Sequence, residues 1–263
     1  MKSSSILNVG LDSNVNKKNY REVFFKLLNL GNSKIFTINP EFIVDAFFDN
    51  SFRKVLNKGD LNTVDGFGIA LVLKSRMQVS KNTKDTVFTG VDLVSETLKI
   101  MNDEKLSLFL LGGSSEQNVS MLASKKIEKQ YPNINIIGYS SDYSNSSKDD
   151  KETMHFIHQK MKEKSCKRID VVLVGYGHKR QESWIIRNSS KIPANISIGV
   201  GGTLDFLSGN TKRAPRFMRN LGLEWLYRLI IQPSRLPRIL KAVILFPLLV
   251  VFFENKKATK NSN

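Results

Sequence analysis

Between residues 35 and 200, short apolar runs alternate with longer stretches whose apolar positions recur every three or four residues. Short runs that are apolar almost throughout suit strands buried on both faces, whereas the longer period suits helices lying on a sheet. The pattern predicts strands over residues 35–38, 61–64, 106–111, 134–137, 169–174 and 196–200. It predicts one helix beginning at Pro40, where proline fits the first turn, and others over 68–74, 91–101, 116–130, 149–164 and 181–188. Residues 139–150, YSSDYSNSSKDD, are polar and rich in turn formers and read as a surface loop. The alternation stops after Gly209, where basic, aromatic, proline-punctuated helical sequence takes over. The expected architecture is α/β: a Rossmann-like, mostly parallel sheet with flanking helices over 1–209, then a basic helical appendage over 210–263.

Three of the predicted strands run into glycines: LFLLGG at Gly112-Gly113, VVLVGYG at Gly175-Tyr176-Gly177, and SIGVGG at Gly201-Gly202. In an open α/β sheet ligands lie beyond the carboxyl ends of the strands, and glycines there leave backbone N–H groups uncovered for an anion. Taken singly, each is equally a tight turn. The dinucleotide fingerprint G-x-G-x-x-G fails at Arg180, which argues against a nicotinamide cofactor. Asp65-Gly66 follows the strand at 61–64, so its carboxylate is positioned to take a proton from an attacking hydroxyl, although Asp-Gly also shapes turns and caps helices. Thr37 and Asn39 close the preceding strand, either as hydrogen-bonding partners of a sugar or as a turn and a cap. Gln181, Glu182 and Trp184 sit where a loop enters a helix and offer amide, carboxylate and aromatic surfaces to a nucleoside, or else cap and pack. His155, His158 and His178 lack metal-ligand spacing and no D-x-D occurs, so no metal and no cofactor are expected. Cationic side chains then remain to neutralise a diphosphate, and Lys212, Arg213, Arg216 and Arg219 lie just after the last glycine turn.

Charge sharpens this picture. Lys and Arg outnumber Asp and Glu by 40 to 24, and from Thr211 onward eleven cations face only Glu224 and Glu254. Such an excess suits a phosphorylated substrate, an anionic membrane surface or nucleic acid; the last ranks lowest, because the aromatics are not interleaved with the cations as in RNA-binding motifs. Residues 242–253, AVILFPLLVVFF, are about half the ~20 that a spanning helix needs and contain Pro247, so they are expected to dip into a bilayer without crossing it. The apolar stripe at Leu221, Leu223, Trp225, Leu226, Leu229 and Ile230 faces either a core or a membrane. The N-terminal residues contain no apolar region of secretory length, and Cys166 stands alone, which together fit a reducing cytoplasmic setting.

Taken in order, TxN at Thr37 to Asn39, DG at Asp65-Gly66, TGVDL from Thr89, LLGG ending at Gly113, GYGHKRQESW from Gly175, GVGGTLDFLSG from Gly199 and KRAPRFMRNLGLEWLYRL from Lys212 form a series. That series resembles the WecG/TagA/CpsF family of bacterial glycosyltransferases over nearly the whole chain. The resemblance implies transfer of a sugar, often of N-acetylmannosamine type, from a UDP donor to a polyprenyl-diphosphate-linked acceptor. It also implies inversion without a bound metal, in the building of a surface polysaccharide such as a teichoic acid, by an enzyme peripherally attached to the cytoplasmic face of the membrane. Carried over by position, Asp65 is the base, with Thr37 and Asn39 beside the reacting sugars and Gly66, Gly90 and Asp92 among the substrate contacts. Gly112, Gly113, Gly175, Tyr176, Gly177, Gln181, Glu182, Gly201 and Gly202 line the donor pocket, and Arg213, Arg216, Arg228 and Arg235 close over the diphosphate. Two positions depart from the family pattern: Val87 stands where arginine is usual, with Lys84 near enough in sequence to compensate, and Lys179-Arg180 replaces a proline–lysine pair. A catalytically silent nucleotide- or lipid-binding homologue is the alternative those departures leave open, as is homo-oligomerisation.

Overall fold

The computed structural model describes residues 2–76, 79, 85–142 and 146–254, with the backbone alone at 216, 220 and 254. A two-stranded antiparallel hairpin, β1 (Ser4–Ile6) and β2 (Val9–Leu11), leads into helix α1 (Tyr20–Leu30). There follow β3 (Ser33–Ile38), α2 (Pro40–Phe48), α3 (Asn50–Asn57), β4 (Leu61–Val64), α4 (Phe67–Ser75), α5 (Gly90–Glu104) and β5 (Ser107–Gly112). The chain continues through α6 (Val119–Gln130), β6 (Asn135–Ser140), α7 (Asp150–Glu163), β7 (Ile169–Gly175), α8 (Arg180–Asn188), β8 (Ala194–Gly199) and α9 (Thr203–Ser208). Strands β3 to β8 form one parallel sheet in the order β4-β3-β8-β7-β5-β6, with Ile38 opposite Val64, Ile35 opposite Ile198, and Val171 between Leu108 and Ile196.

Both faces of this sheet are covered, which is why its strands read as unbroken apolar runs. Leu108 and Leu110 of β5 pack with α1, α5, α6 and α9 on one side, while Phe109 and Leu111 pack with α2, α3, α7 and α8 on the other. Polar side chains set the element boundaries. Asn39 accepts from the Phe42 N–H at 3.1 Å and starts α2; Asp49 ends it and caps α3 through the Phe52 N–H at 3.0 Å. Thr89 caps α5 by accepting from the Asp92 N–H at 3.2 Å.

All six expected strands and all six expected helices are present, with shifted ends. Helix α6 begins at Val119 because Asn118 takes a left-handed conformation, φ 47°, and β6 runs on to Ser140, trimming the loop expected from residue 139. The hairpin, α1, α3 and α9 were not expected.

Beyond residue 209 come α10 (Arg216–Asn220), α11 (Glu224–Ile231) and a helix over Pro233–Phe253. This last element corrects the reading of residues 242–253. Pro247 does not interrupt it: the turn before it widens, with the Phe246 N–H reaching back five residues to the Lys241 carbonyl, and such a wide turn accommodates a proline inside a helix. The result spans 21 residues and contains an 18-residue stretch of mean hydropathy 2.2, long and apolar enough by length and composition to cross a membrane. One side of it is docked. Phe246, Leu249 and Val250 are buried in the core on the α2 side of the sheet, Arg238 grips Glu41 with two nitrogens at 2.9 and 2.8 Å, and Lys241 pairs with Asp45 at 2.7 Å. Val243, Ile244, Leu248, Val251 and Phe252 face outward.

Candidate active site

Because every strand of the main sheet is parallel, the carboxyl ends of β3, β4, β5, β7 and β8 meet on one edge and bring the separated motifs together. Gly112 turns directly against β7. Its φ is 90°, and a methyl there would lie 2.7 Å from the Gly175 carbonyl carbon, so only glycine fits; the next N–H, from Gly113, donates to the Gly175 carbonyl at 3.0 Å. The turn after β8 is held from α8: the Gly201 N–H donates to Gln181 Oε1 at 2.8 Å, and Gln181 Nε2 donates to Glu182 Oε1 at 2.6 Å. Glu182 and Trp184 have no exposed surface, and Tyr176 packs edge-on against Trp184 at 5.4 Å. Of the two readings of Glu182 and Trp184, ligand surface or packing, both side chains are packed, Trp184 against Tyr176 and Glu182 against Gln181, with no exposed surface. Burial pushes the Glu182 carboxyl up to about 8, so it is neutral at pH 7.

Asp65 continues β4, its N–H bonded to the Ile38 carbonyl at 2.8 Å, and its Oδ2 accepts from the Gly90 N–H at 3.3 Å. The residue keeps some surface, yet its carboxyl lies deep among protein atoms. Desolvation lifts its pKa to about 6, against the pull of Arg228 and the Gly90 N–H and with a push from Glu224 and Asp92. A carboxyl titrating there is a base at neutral pH and a stronger one than an ordinary aspartate. Thr37 lies next to it, nine-tenths buried. Asn39 commits its side-chain oxygen to the α2 cap. Gly66, at the head of α4, lies against Pro40.

The appendage supplies cations to the same edge. Arg213 Nη1 donates to Asp92 Oδ1 at 2.8 Å and Arg213 Nη2 to Thr89 Oγ1 at 3.3 Å, tying the appendage to the start of α5. Burial alone would raise the Asp92 carboxyl, but the hydrogen bonds from Arg213 and Thr89 outweigh it and hold Asp92 below the usual range. Arg228 bonds Glu224 at 3.2 Å and stacks 5.0 Å over Phe206. Arg235 bonds Gln232 and reaches the last glycine turn, where a methyl on Gly202 would lie 3.8 Å from its Nη2. Burial, then the nearby Arg238 and Arg228, pull the Arg235 pKa down. Cations crowded this way repel one another, and an anion among them relieves the repulsion. The Nε atoms of Arg213, Arg219 and Arg228 are buried, with no protein partner among the described residues. Arg216 opens α10. In α11 no side chain is buried; Leu221, Trp225 and Ile230 of the apolar stripe are exposed, as is the neighbouring Ile231.

Sequence reasoning missed Thr203 and Asp205, which follow Gly201-Gly202 into α9; a methyl on Gly202 would lie 3.6 Å from Asp205 Oδ2. It also missed a cluster behind the site. His178, in the turn after β7, bonds Asp45 at 2.7 Å, and Glu41, Asp45 and His178 offer ligand atoms within 4.8 Å of one another. Arg238 and Lys241 already compensate those two carboxylates, so the cluster is a set of ion pairs clamping the C-terminal helix to α2. Of the two departures from the family pattern, Val87 packs against the core and Lys179 pairs with Asp49 at 2.5 Å, while Lys84 lies outside the described residues.

Comparison with known proteins fits this geometry. The chain is 35% identical over 225 residues to the N-acetylglucosaminyldiphosphoundecaprenol N-acetyl-beta-D-mannosaminyltransferase of Bacillus subtilis (strain 168), covering 86% of this chain and 81% of that one. It is 31% identical over 206 residues to the protein of the same name from Bacillus spizizenii, covering 78% and 74%. With the Staphylococcus aureus (strain MRSA252) protein of that name it shares 29% identity over 230 residues, covering 86% and 82%. The pattern of the glycosyl transferase WecG/TagA/CpsF family matches residues 5–261. With the strand-end glycines, the Asp65 carboxylate and the arginines of the appendage along one edge of the sheet, this chain belongs to the WecG/TagA/CpsF family and is a glycosyltransferase.

Proposed function

We propose that the chain transfers an N-acetylmannosamine-type sugar from a UDP donor to a sugar carried on a polyprenyl diphosphate, inverting the anomeric centre without a metal, in the synthesis of a cell-surface polysaccharide. The observation that supports this reading is Asp65: a carboxyl lifted to about 6, at the carboxyl edge of the sheet, bonded by the Gly90 N–H and within the field of Arg228. In the step proposed, the acceptor alcohol gives its proton to Asp65 as its oxygen bonds to the anomeric carbon. The bond from that carbon to the β-phosphate oxygen breaks on the opposite face, and UDP leaves with the electron pair. Arg235, beside the Gly201-Gly202 turn, and Arg228 stabilise the charge growing on the diphosphate. Arg213 ties the appendage, residues 210–263, to α5 and so holds the site closed.

Peripheral attachment to the cytoplasmic face of the membrane is part of this reading, and the C-terminal helix supports the attachment. Its inner side is committed to the protein through Phe246, Leu249, Arg238 and Lys241, which leaves one apolar side for lipid and favours lying in the interface over crossing it. Purified protein is to be incubated with labelled UDP-N-acetylmannosamine and vesicles containing an N-acetylglucosaminyl polyprenyl diphosphate. Label appearing in the lipid fraction is the expected result; a folded sample that transfers nothing from this donor or a panel of other UDP-sugars refutes it. UDP binding without any transfer is the outcome expected of a silent homologue, the second reading, which the apolar packing of Val87 favours.

A further inference from the structure

We propose that Thr203 is a further substrate-contacting residue, whose hydroxyl joins that of Thr37 and the carboxylate of Asp65 in a three-oxygen cradle that holds the attacking alcohol. The inference rests on the reading of Asp65 as the base. Its ground is the surroundings of Gly90. A methyl built on that residue would lie 3.2 Å from Thr37 Oγ1, 3.4 Å from Thr203 Oγ1 and 3.6 Å from Asp65 Oδ2. The three oxygens therefore gather round the bare α-carbon of Gly90, no more than about 7 Å from one another. They arrive from three different strand ends, those of β3, β8 and β4, so no local turn requires them to meet. Thr37 and Thr203 are only 8% and 6% exposed, yet among the described residues neither hydroxyl has a hydrogen-bond partner. Two hydroxyls free of protein partners, on side chains otherwise packed in place and set beside a carboxylate, are available to a polar guest. An alcohol suits this set: it donates to Asp65 and accepts from a threonine hydroxyl, which fixes its lone pair toward the anomeric carbon.

The backbone of Gly90 is not what requires glycine, since its φ lies outside the left-handed region and it opens α5 as an ordinary helical residue. What an added methyl does is press on the three oxygens, Thr37 Oγ1 first, and push them out of their arrangement.

The test compares Thr203→Val, which keeps the shape and removes the hydroxyl, with Thr203→Ser, which keeps the hydroxyl and removes a methyl. In the lipid-acceptor assay kcat for Thr203→Val is expected to fall about 10- to 100-fold, the cost of one lost hydrogen bond to a reacting group, with the Kd for UDP unchanged. Thr203→Ser is expected to stay within about threefold of wild type, an effect of the size of lost packing alone. Wild-type kcat in Thr203→Val overturns the proposal. So does a loss in Thr203→Ser as large as in Thr203→Val together with a lowered Tm, since that is the signature of packing. Should Thr203→Val not fold, Gly90→Ala decides: an unchanged or raised Tm with kcat reduced at least tenfold supports the cradle, and wild-type kcat overturns it. A wild type that transfers no sugar, or Asp65→Asn turning over normally, counts against the proposed reaction or its base; an active wild type matched by Thr203→Val counts against Thr203 alone.

Discussion

Replacing Asp65 with asparagine exchanges a carboxylate that the fold disfavours for an amide of the same shape. The carboxyl titrates at about 6 in the folded chain, chiefly through desolvation, against about 3.9 for an unfolded aspartate. A group whose folded pKa is raised above its unfolded one destabilises the fold once pH exceeds the unfolded value, and the cost levels off above the folded value. The gap of about two units corresponds to about 3 kcal/mol at pH 8, an upper figure because the site keeps some contact with solvent, and to about 1 kcal/mol at pH 4.5. The amide of the Asp65→Asn variant escapes that cost, and its side-chain oxygen still accepts from the Gly90 N–H. The expected outcome is an Asp65→Asn protein whose Tm exceeds that of wild type by about 5–10 °C at pH 8, with the advantage shrinking by more than half at pH 4.5. Calorimetry on both proteins across that range measures it, and turnover of the variant is expected to fall at least about a hundredfold. A Tm difference that does not change with pH, or a variant less stable than wild type at pH 8, refutes the claim that Asp65 is held as a destabilised base.

Three further outcomes follow from the same geometry. The kcat/KM of the wild type should drop tenfold per unit as pH falls below about 6, since Asp65 must be ionised to accept a proton, and a profile flat down to pH 4.5 contradicts this. Gly112→Ala forces a positive φ on alanine and drives a methyl into the Gly175 backbone; chemical denaturation should report a loss of about 2–4 kcal/mol, and a loss under 0.5 kcal/mol contradicts the turn described. Removing residues 242–263 strips the exposed apolar side of the C-terminal helix, so flotation should find less protein on anionic vesicles and activity should fall more on long-chain acceptors than on short soluble ones; equal flotation contradicts interfacial attachment.

The core of the fold was legible because burial on both faces leaves a plain mark: Leu108 to Leu111 has no polar position, and neither has Val171 to Val174. The hairpin left no such mark, since β1 and β2 have three residues each. Helix α1 did carry a periodic signal in Tyr20, Phe24 and Leu27, but Asn19 before it makes no side-chain cap, and the start was easily passed over. Asp65 and the strand-end glycines could be singled out because they stand beside apolar runs. Thr203 could not, because its nearness to Thr37 and Asp65 arises across the sheet, and only the strand order β4-β3-β8 brings them together. The pairing of Asp45 with His178 and Lys241 was hidden for the same reason, since these residues are far apart in the chain and meet only when the C-terminal helix docks on α2. The Glu182 carboxylate was open to two readings, ligand group or packing group, because a polar side chain facing inward at the start of a helix looks no different in sequence from one facing a pocket.

A structure of the protein with an intact UDP-sugar bound measures the central claim directly. A base about 3 Å from the attacking hydroxyl, itself about 3–3.5 Å from the reacting carbon, puts an Asp65 oxygen within about 7 Å of the anomeric carbon, on the face away from the diphosphate. That placement, with the diphosphate between the Gly201-Gly202 turn and Arg235, is the predicted result. An anomeric carbon on the far side of the molecule from Asp65, or Asp65 on the same face as the leaving diphosphate, contradicts the account.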